Sequence, residues 1–246
     1  KFKDLSTDYK KKFWNYVISV DQLDIIEESV VDEVFDRLNR NSRKLERQEL
    51  RHAKYDGWFI NYAEDQSTEA EWKKLNVATQ TRAKRMKDVQ FLSELIIVAI
   101  EDSCKGFSQD EIDVYTAYFD LPEEDKPDFI VTDFEVKFQT IRDFLLAVEN
   151  INGCVSEFAK NFMHFYSLWC VAVEVHERFT PEVFAVKYSE FMNQYKNIKL
   201  KGNESGDTEE KETDESIHFI YASNSVGANT EYPQRKARHD SLIKAF

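Results

Sequence analysis

The sequence predicts a mainly α-helical fold, a multi-helix array of about seven to nine helices with room for one residual β-strand near the amino terminus. Only 6 glycines and 4 prolines occur among 246 residues, whereas sheets joined by tight turns need more of both. Hydrophobic residues make up 42% of the chain and include 19 phenylalanines, enough to bury a substantial core. Apolar residues also recur at the three- and four-residue spacing of amphipathic helices.

The amino-terminal half contains one strand candidate and three long helix candidates. The β-branched run "VISV" at residues 17–20 favours a short strand. Spaced apolar residues predict helices over 24–38 and 45–63, the latter with Gly57 as its weak point. Residues 86–104 are apolar on nearly every side, which is typical of a buried helix.

The carboxy-terminal half predicts further helices and one break. Helical patterns cover residues 110–120, 129–150, 156–178 and 180–195. Residues 203–215 contain seven acids, one lysine and no large apolar residue, which indicates a solvated, mobile segment. We therefore expect a helical lobe over 1–202, an acidic linker over 203–216, and a basic carboxy-terminal helix within 217–246 that packs back on the lobe.

Composition excludes several classes of protein. A net charge of −13 disfavours a chain whose whole surface binds nucleic acid, although local basic patches remain open. The three cysteines match neither zinc spacing nor a disulfide framework, which favours a reducing cytoplasm. No apolar run is long enough to cross a membrane, and no glycine-rich phosphate loop occurs. No metal site is predicted.

One stretch, "VFDRLNRNSRKLERQELRHA" at 34–53, has a specific order of residues. A structural interpretation is available, since asparagines suit the turn that ends a helix. Arg37 would then pair with Glu49 across a helical hairpin, and Asn39 would hold the loop.

The order of these residues resembles the amino-terminal domain of GmrSD-type restriction systems, a ParB/sulfiredoxin-like family with an Asp-Gly-Gln-Gln-Arg signature. Arg85 and Asp88 fit the Arg-x-x-Asp pattern of that family's next helix, and His52 stands where asparagine is usual. The motifs that resemble the family lie within about residues 1–104. The matching positions in the first motif are Phe35, Arg37, Leu38, Asn39, Leu45, Glu49, Leu50, Arg51 and Ala53.

The signature itself is absent from these residues, and we expect the chain to be a piece of a longer protein. The resemblance implies a prokaryotic, cytoplasmic defence protein, a hydrolase of the restriction endonuclease type. It would recognise foreign, modified DNA and support its nucleotide-dependent cleavage. We expect this portion to be inactive alone and to hold no cofactor, with nucleotide and Mg²⁺ acting in the parent protein. Pocket candidates are Arg37, Asn39, Glu49, Arg51, Arg85 and Asp88.

Two basic clusters are candidates for nucleic-acid contacts. Lys10, Lys11 and Lys12 precede three aromatic residues, and Arg235, Lys236 and Arg238 lie in the predicted terminal helix. Lysine and arginine contact phosphates and aromatic rings stack on bases. The alternative function is a non-catalytic helical module that binds another protein. The family resemblance implies that the partner is the upstream lobe that carries the Asp-Gly-Gln-Gln-Arg signature. The sequence does not specify the DNA modification, the nucleotide or the oligomeric state.

Overall fold

The structure, a computed structural model, describes residues 6–17, 20, 45–204, 216–227 and 229–246. These residues are mainly α-helical and include no strand, which confirms the predicted fold class. Val17 and Val20 at the ends of the predicted strand are not in a strand, and residues 18 and 19 lie outside the described residues. The helix predicted over 24–38 lies outside them as well.

Fourteen helices occupy the described residues, more than the sequence predicts because several are short. They are α1 Thr7–Trp14, α2 Arg47–Lys54, α3 Trp58–Thr68, α4 Ala70–Lys74, α5 Gln80–Ala83, α6 Lys87–Glu101, α7 Gln109–Tyr118, α8 Pro122–Asp125, α9 Val131–Asn152, α10 Cys154–Phe158, α11 Phe162–Val175, α12 Pro181–Glu204, α13 Ile217–Ser223 and α14 Tyr232–Ile243.

The chain divides into two units, Lys1–Lys44 and Leu45–Phe246. In the first unit, the described residues form helix α1 and a short extension after it. The second unit contains the other helices, including α13 and α14 from the predicted carboxy-terminal segment. Helix α12 continues to Glu204, and residues 205–215, most of the predicted acidic linker, lie outside the described residues.

Helices α6 and α11 form the centre of the second unit. Both are apolar on nearly every side, and most of their residues are buried. Helix α6 packs against α3 and α11, while α14 packs against α11 and α13. The indole Nε1 of Trp169 donates a 3.0 Å hydrogen bond to the Leu95 carbonyl, so the polar atom of this buried ring is satisfied. This packing supports the short helices around it.

The single helix predicted over 45–63 is wrong, because the chain breaks at residues 55–57 into α2 and α3. Asp120 causes the close approach at this point. A Cβ on Gly57 would overlap the carboxylate and carbonyl of Asp120, and the Trp58 N–H donates to the Asp120 carbonyl at 2.9 Å. Only glycine allows α7 and α8 to come this near the start of α3.

The helix predicted over 156–178 also divides, into α10 and α11. Asn161 starts the second of these helices, since its side-chain oxygen accepts a 2.9 Å hydrogen bond from the His164 N–H. Asparagine is among the best residues for this capping position. This capping signal lies inside an aromatic-rich run, which is why residues 156–178 were predicted as a single helix.

Candidate functional site

Helix α2 carries the "QELRH" part of the motif and begins with a reciprocal capping box. The Glu46 N–H donates to Glu49 Oε2 at 2.7 Å, which satisfies a backbone donor at the start of the helix. The same carboxylate oxygen lies 2.9 Å from Arg85 Nη1, and Lys87 Nζ lies 3.3 Å from Glu46 Oε2. The two segments that carry the family resemblance therefore meet at this point.

Arg85 and Met86 form an unusual turn immediately before α6. Their φ angles are 74° and 54°, the left-handed region that costs non-glycine residues free energy. Asp88 follows in the first turn of α6 and is buried, and its Oδ1 accepts a 2.9 Å hydrogen bond from the Val89 N–H. Burial raises the pKa of Asp88, against the opposing effects of its backbone hydrogen bonds and of Arg82.

Arg51 lies on another side of α2 and is buried, with only 2% of its side chain exposed. Its Nε donates to Asp113 Oδ1 at 2.5 Å and its Nη1 to Gln48 Oε1 at 2.9 Å. Its Nη2 donates to the backbone and side-chain oxygens of Gln109 at 2.8 and 2.6 Å. Arg51 thus binds α2 to α7 with most of its donors in use.

The partners of Arg51 were not among the residues predicted from the sequence. Gln48 is fully buried beside it, and Arg47 forms ion pairs with Asp110 at 2.6 Å and Asp113 at 2.7 Å. One signal was available, because Arg47 and Arg51 are four residues apart and share a helix face. The matching acids in α7 lie about sixty residues further along, and helical spacing does not identify a partner at that distance.

A cleft of about 300 Å³ opens beside this network, which we call the α2 cleft. It is lined by Arg47, Leu50, Arg51, Lys54, Tyr55 and Asp113. The Lys54 ammonium lies 5.2 Å from the centre of the Tyr55 ring. Within the part of the chain that the structure describes, Lys54 has no carboxylate at ion-pair distance. The cleft thus combines an exposed cation with an aromatic ring.

Two of the six pocket candidates, Arg37 and Asn39, lie outside the described residues. The Arg37–Glu49 ion pair therefore stays a prediction. The structure brings Glu49 and Arg85 together, with Asp88 three positions beyond Arg85. Arg51 belongs to the separate network with α7.

The lysine cluster at residues 10–12 lies in α1, a helix with no buried residue. The aromatic side chains beside it are exposed as well, with Phe13 at 60% and Trp14 at 72%. Trp14 packs edge-on against Phe13, with ring centres 5.4 Å apart. Exposed aromatic residues next to lysines are compatible with contacts to nucleic acid.

The carboxy-terminal basic cluster is mostly internal. Arg235 is buried, pairs with Glu94 at 2.6 Å and stacks at 3.7 Å on the Tyr166 ring. Arg238 is fully buried and donates to Ser167 Oγ and the Asn224 carbonyl at 3.1 and 2.5 Å. Both arginine side chains are therefore too deeply buried in this conformation to contact a phosphate at the protein surface. Lys236 is exposed, and it pairs with Asp240 one turn later.

Among the described residues, no group of three or more histidine, cysteine, aspartate or glutamate side chains is placed to hold a metal ion. No helix in the described ranges has both the length and the apolar character needed to cross a membrane.

No family model matches the sequence, and no curated protein or solved structure shows significant similarity to it.

Proposed function

We propose that this chain is the helical portion of a GmrSD-type defence protein that recognises foreign, modified DNA and supports its nucleotide-dependent cleavage. The observation that carries the proposal is the contact of Glu49 with Arg85 at 2.9 Å. Each residue belongs to a segment that resembles the family, and the two segments are far apart in sequence. Their meeting supports the interpretation of both segments as parts of one arrangement rather than as separate coincidences.

We assign DNA contacts to the α2 cleft, which lies on the same helix as Glu49. Lys54 and Arg47 would contact phosphates, and Tyr55 offers a ring on which an unpaired base can stack. Arg47 already pairs with Asp110 and Asp113, so a phosphate would compete with these carboxylates. We therefore expect modest affinity with a clear dependence on salt.

The chemistry of cleavage belongs, in this proposal, to the parent protein. The partner is the upstream lobe with the Asp-Gly-Gln-Gln-Arg signature, and nucleotide and Mg²⁺ would act there, in the cytoplasm of a prokaryote. This chain would shape and support the pocket through Glu49, Arg51, Arg85 and Asp88. Phosphoryl transfer needs groups that cradle phosphates and hold a metal, and we assign none of those roles to it.

The test is fluorescence anisotropy with labelled duplex DNA, unmodified and base-modified, at about 50 and 200 mM salt. We expect Lys54→Gln to weaken binding and to reduce the salt slope by about 1. Lys74→Gln is the matched control, since it removes the same charge from an exposed position on α4. The DNA assignment would be contradicted if both variants bound DNA equally well. It would also be contradicted if the chain without substitutions bound no DNA at low salt.

A second candidate function, a protein-interaction module, rests on a different surface. Near the α7–α9 corner, exposed apolar side chains include Val114 at 62%, Leu121 at 53% and Ile130 at 57%. The same stretch of chain also lines a cleft of about 440 Å³, through Tyr118, Phe119, Asp125, Lys126, Pro127, Asp128 and Phe129. Apolar side chains beside carboxylates suit a partner segment with apolar anchors and flanking basic residues.

The two functions are separated by adding the upstream lobe as a second purified chain and measuring association by sedimentation velocity. Leu121→Glu should abolish association if this surface binds that lobe. Val183→Glu, an exposed apolar position on α12 at 44% exposure, is the control and should leave association intact. Because both functions allow binding to that lobe, DNA binding decides between them. Loss of association in Leu121→Glu, without salt-sensitive DNA binding by the chain that carries no substitution, would favour the second function. Association that both variants retain, together with salt-sensitive DNA binding, would favour the first.

A further inference from the structure

Cys104 and Cys170 belong to different elements, yet their side chains meet. Cys104 follows the end of α6, and Cys170 lies within α11. Each thiol shifts the pKa of the other, which places the two side chains next to each other. The third cysteine, Cys154, is buried at the start of α10. The chain therefore has one thiol pair and one separate thiol for comparison.

The surrounding structure holds the pair in place. Tyr166 lies one turn before Cys170 on α11, so both side chains are on the same helix face. The Tyr166 hydroxyl accepts a 2.9 Å hydrogen bond from the Lys105 N–H and donates one of 2.9 Å to the Lys105 carbonyl. Because Lys105 follows Cys104 directly, these two bonds fix the Cys104 backbone beside α11.

The two thiols differ in exposure and acidity. Cys104 is partly exposed, and the neighbouring Cys170 thiol, with smaller contributions from Arg235 and Arg238, lowers its pKa. Cys170 is buried, and burial raises its pKa well above the usual range. A low thiol pKa and partial exposure are typical of a nucleophilic cysteine. A neighbouring thiol is typical of the residue that resolves the oxidised product.

We propose that Cys104 and Cys170 form a modification site at which a hydroperoxide produces an intramolecular disulfide. The Cys104 thiolate attacks one peroxide oxygen, the O–O bond breaks, and a sulfenic acid forms while hydroxide leaves and takes up a proton. The Cys170 thiol then attacks the sulfenic sulfur, the S–O bond breaks, and water leaves with the Cys170 proton. Two thiols are oxidised, and one hydroperoxide is reduced by two electrons.

The product would join the end of α6 to the middle of α11, next to the buried Glu94–Arg235 ion pair. A dithiol reductant would reverse it by thiol–disulfide exchange. In a reducing compartment such a bridge is expected to be transient, as redox-sensing disulfides are. The proposal is independent of the DNA assignment, because no residue of the α2 cleft takes part.

The test uses the purified chain, treated with hydrogen peroxide, alkylated with N-ethylmaleimide under denaturing conditions and digested without reductant. We expect a linked peptide pair containing Cys104 and Cys170, lighter than the two thiol peptides by two hydrogen atoms, and an alkylated Cys154. Dithiothreitol should restore both thiols. Alkylation of all three cysteines, under conditions that oxidise an added low-molecular-weight thiol, would overturn the proposal.

Two variants test the assigned roles. Cys170→Ala removes the resolving thiol, so the Cys104 sulfenic acid should persist and be captured by dimedone. Cys154→Ala should still form the bridge. Any of three results would overturn the proposal. They are a dimedone adduct at Cys170 instead of Cys104, a bridge that includes Cys154, and sulfinic acid at Cys104 without a bridge in the chain that carries no substitution. Peptide mapping of the unmodified chain decides the question even if Cys170→Ala fails to fold.

Discussion

Glu49 and Arg85 are 36 positions apart in sequence, and Arg85 Nη1 lies 2.9 Å from Glu49 Oε2. The same oxygen accepts the Glu46 N–H at 2.7 Å, so one carboxylate both starts α2 and holds the turn before α6. That turn includes Arg85 and Met86 in the left-handed region. Contacts of this kind are what keep a costly backbone conformation populated.

We predict that Arg85→Ala lowers the free energy of unfolding by about 1 kcal/mol, because a pair whose side chains are 23% exposed is worth little more. Arg85→Gly loses the same pair but relieves the left-handed φ of 74°. It should therefore be about 1 kcal/mol more stable than Arg85→Ala. Urea unfolding measures both, and equal stabilities would show that the turn carries no strain.

Helix α6 illustrates what the sequence could predict. Apolar residues surround it on nearly every side, and that pattern depends on neighbours within the helix alone, so the prediction of a buried helix is confirmed. The break at Gly57 depends on Asp120, and the burial of Arg235 depends on its ion pair with Glu94. Both partners lie far away in sequence. Basic residues on a helix look the same in sequence whether they face solvent or a buried carboxylate.

The candidate site was also predictable only in part: its residues were expected, but their contacts were not. Glu49 and Arg85 were both expected at a site from the resemblance, but nothing in the spacing of either segment predicts that they touch. Arg51 was expected to line or support a pocket, and the structure places it inside a hydrogen-bond network with Gln48 and Gln109. Partner choice between helices is a long-range property, whereas periodicity is a local one.

A second prediction concerns Arg51, which is 2% exposed and paired with Asp113. We expect Arg51→Ala to lower the free energy of unfolding by about 3 kcal/mol, because it leaves Asp113, Gln48 and Gln109 without a shared donor. Arg51→Lys should recover only part of the loss, since an ammonium cannot replace the planar fork. Chemical denaturation with both variants measures the effect.

Arg47 is the control for this comparison. It pairs with the same carboxylate, but its side chain is 48% exposed. We expect Arg47→Ala to cost less than about 1 kcal/mol, as exposed pairs do. Similar losses for Arg47→Ala and Arg51→Ala would mean that burial does not govern the network, contrary to the structure.

A third prediction compares two glycines. A Cβ on Gly57 would overlap Asp120, including its backbone carbonyl, so Gly57→Ala should lower the free energy of unfolding by about 2–3 kcal/mol. Gly153 has open space around its Cα but a φ of 71°, so Gly153→Ala should cost about 1 kcal/mol through backbone strain alone. Thermal and urea unfolding provide the comparison. The reverse order would show that α7 and α8 do not approach Gly57 as closely as described.

The last prediction uses the raised pKa of Asp88. Burial favours the neutral carboxyl in the folded chain, whereas the unfolded chain loses the proton near the ordinary value of 3.8. The folded state therefore binds more protons above pH 3.8, and this carboxyl reduces stability as the pH rises through the raised pKa. Arg82 and the Val89 N–H reduce that cost without removing it.

We expect Asp88→Asn to raise the melting temperature at pH 7, because the amide oxygen can still accept from the Val89 N–H while no charge is buried. The gain should disappear below pH 3.8, where both states of the unmodified chain hold the proton. Asp128→Asn, which makes the same chemical change at an exposed position, is the control variant. A lower melting temperature for Asp88→Asn at pH 7 would mean that the ionised carboxylate is stabilising, and that the turn before α6 requires its charge.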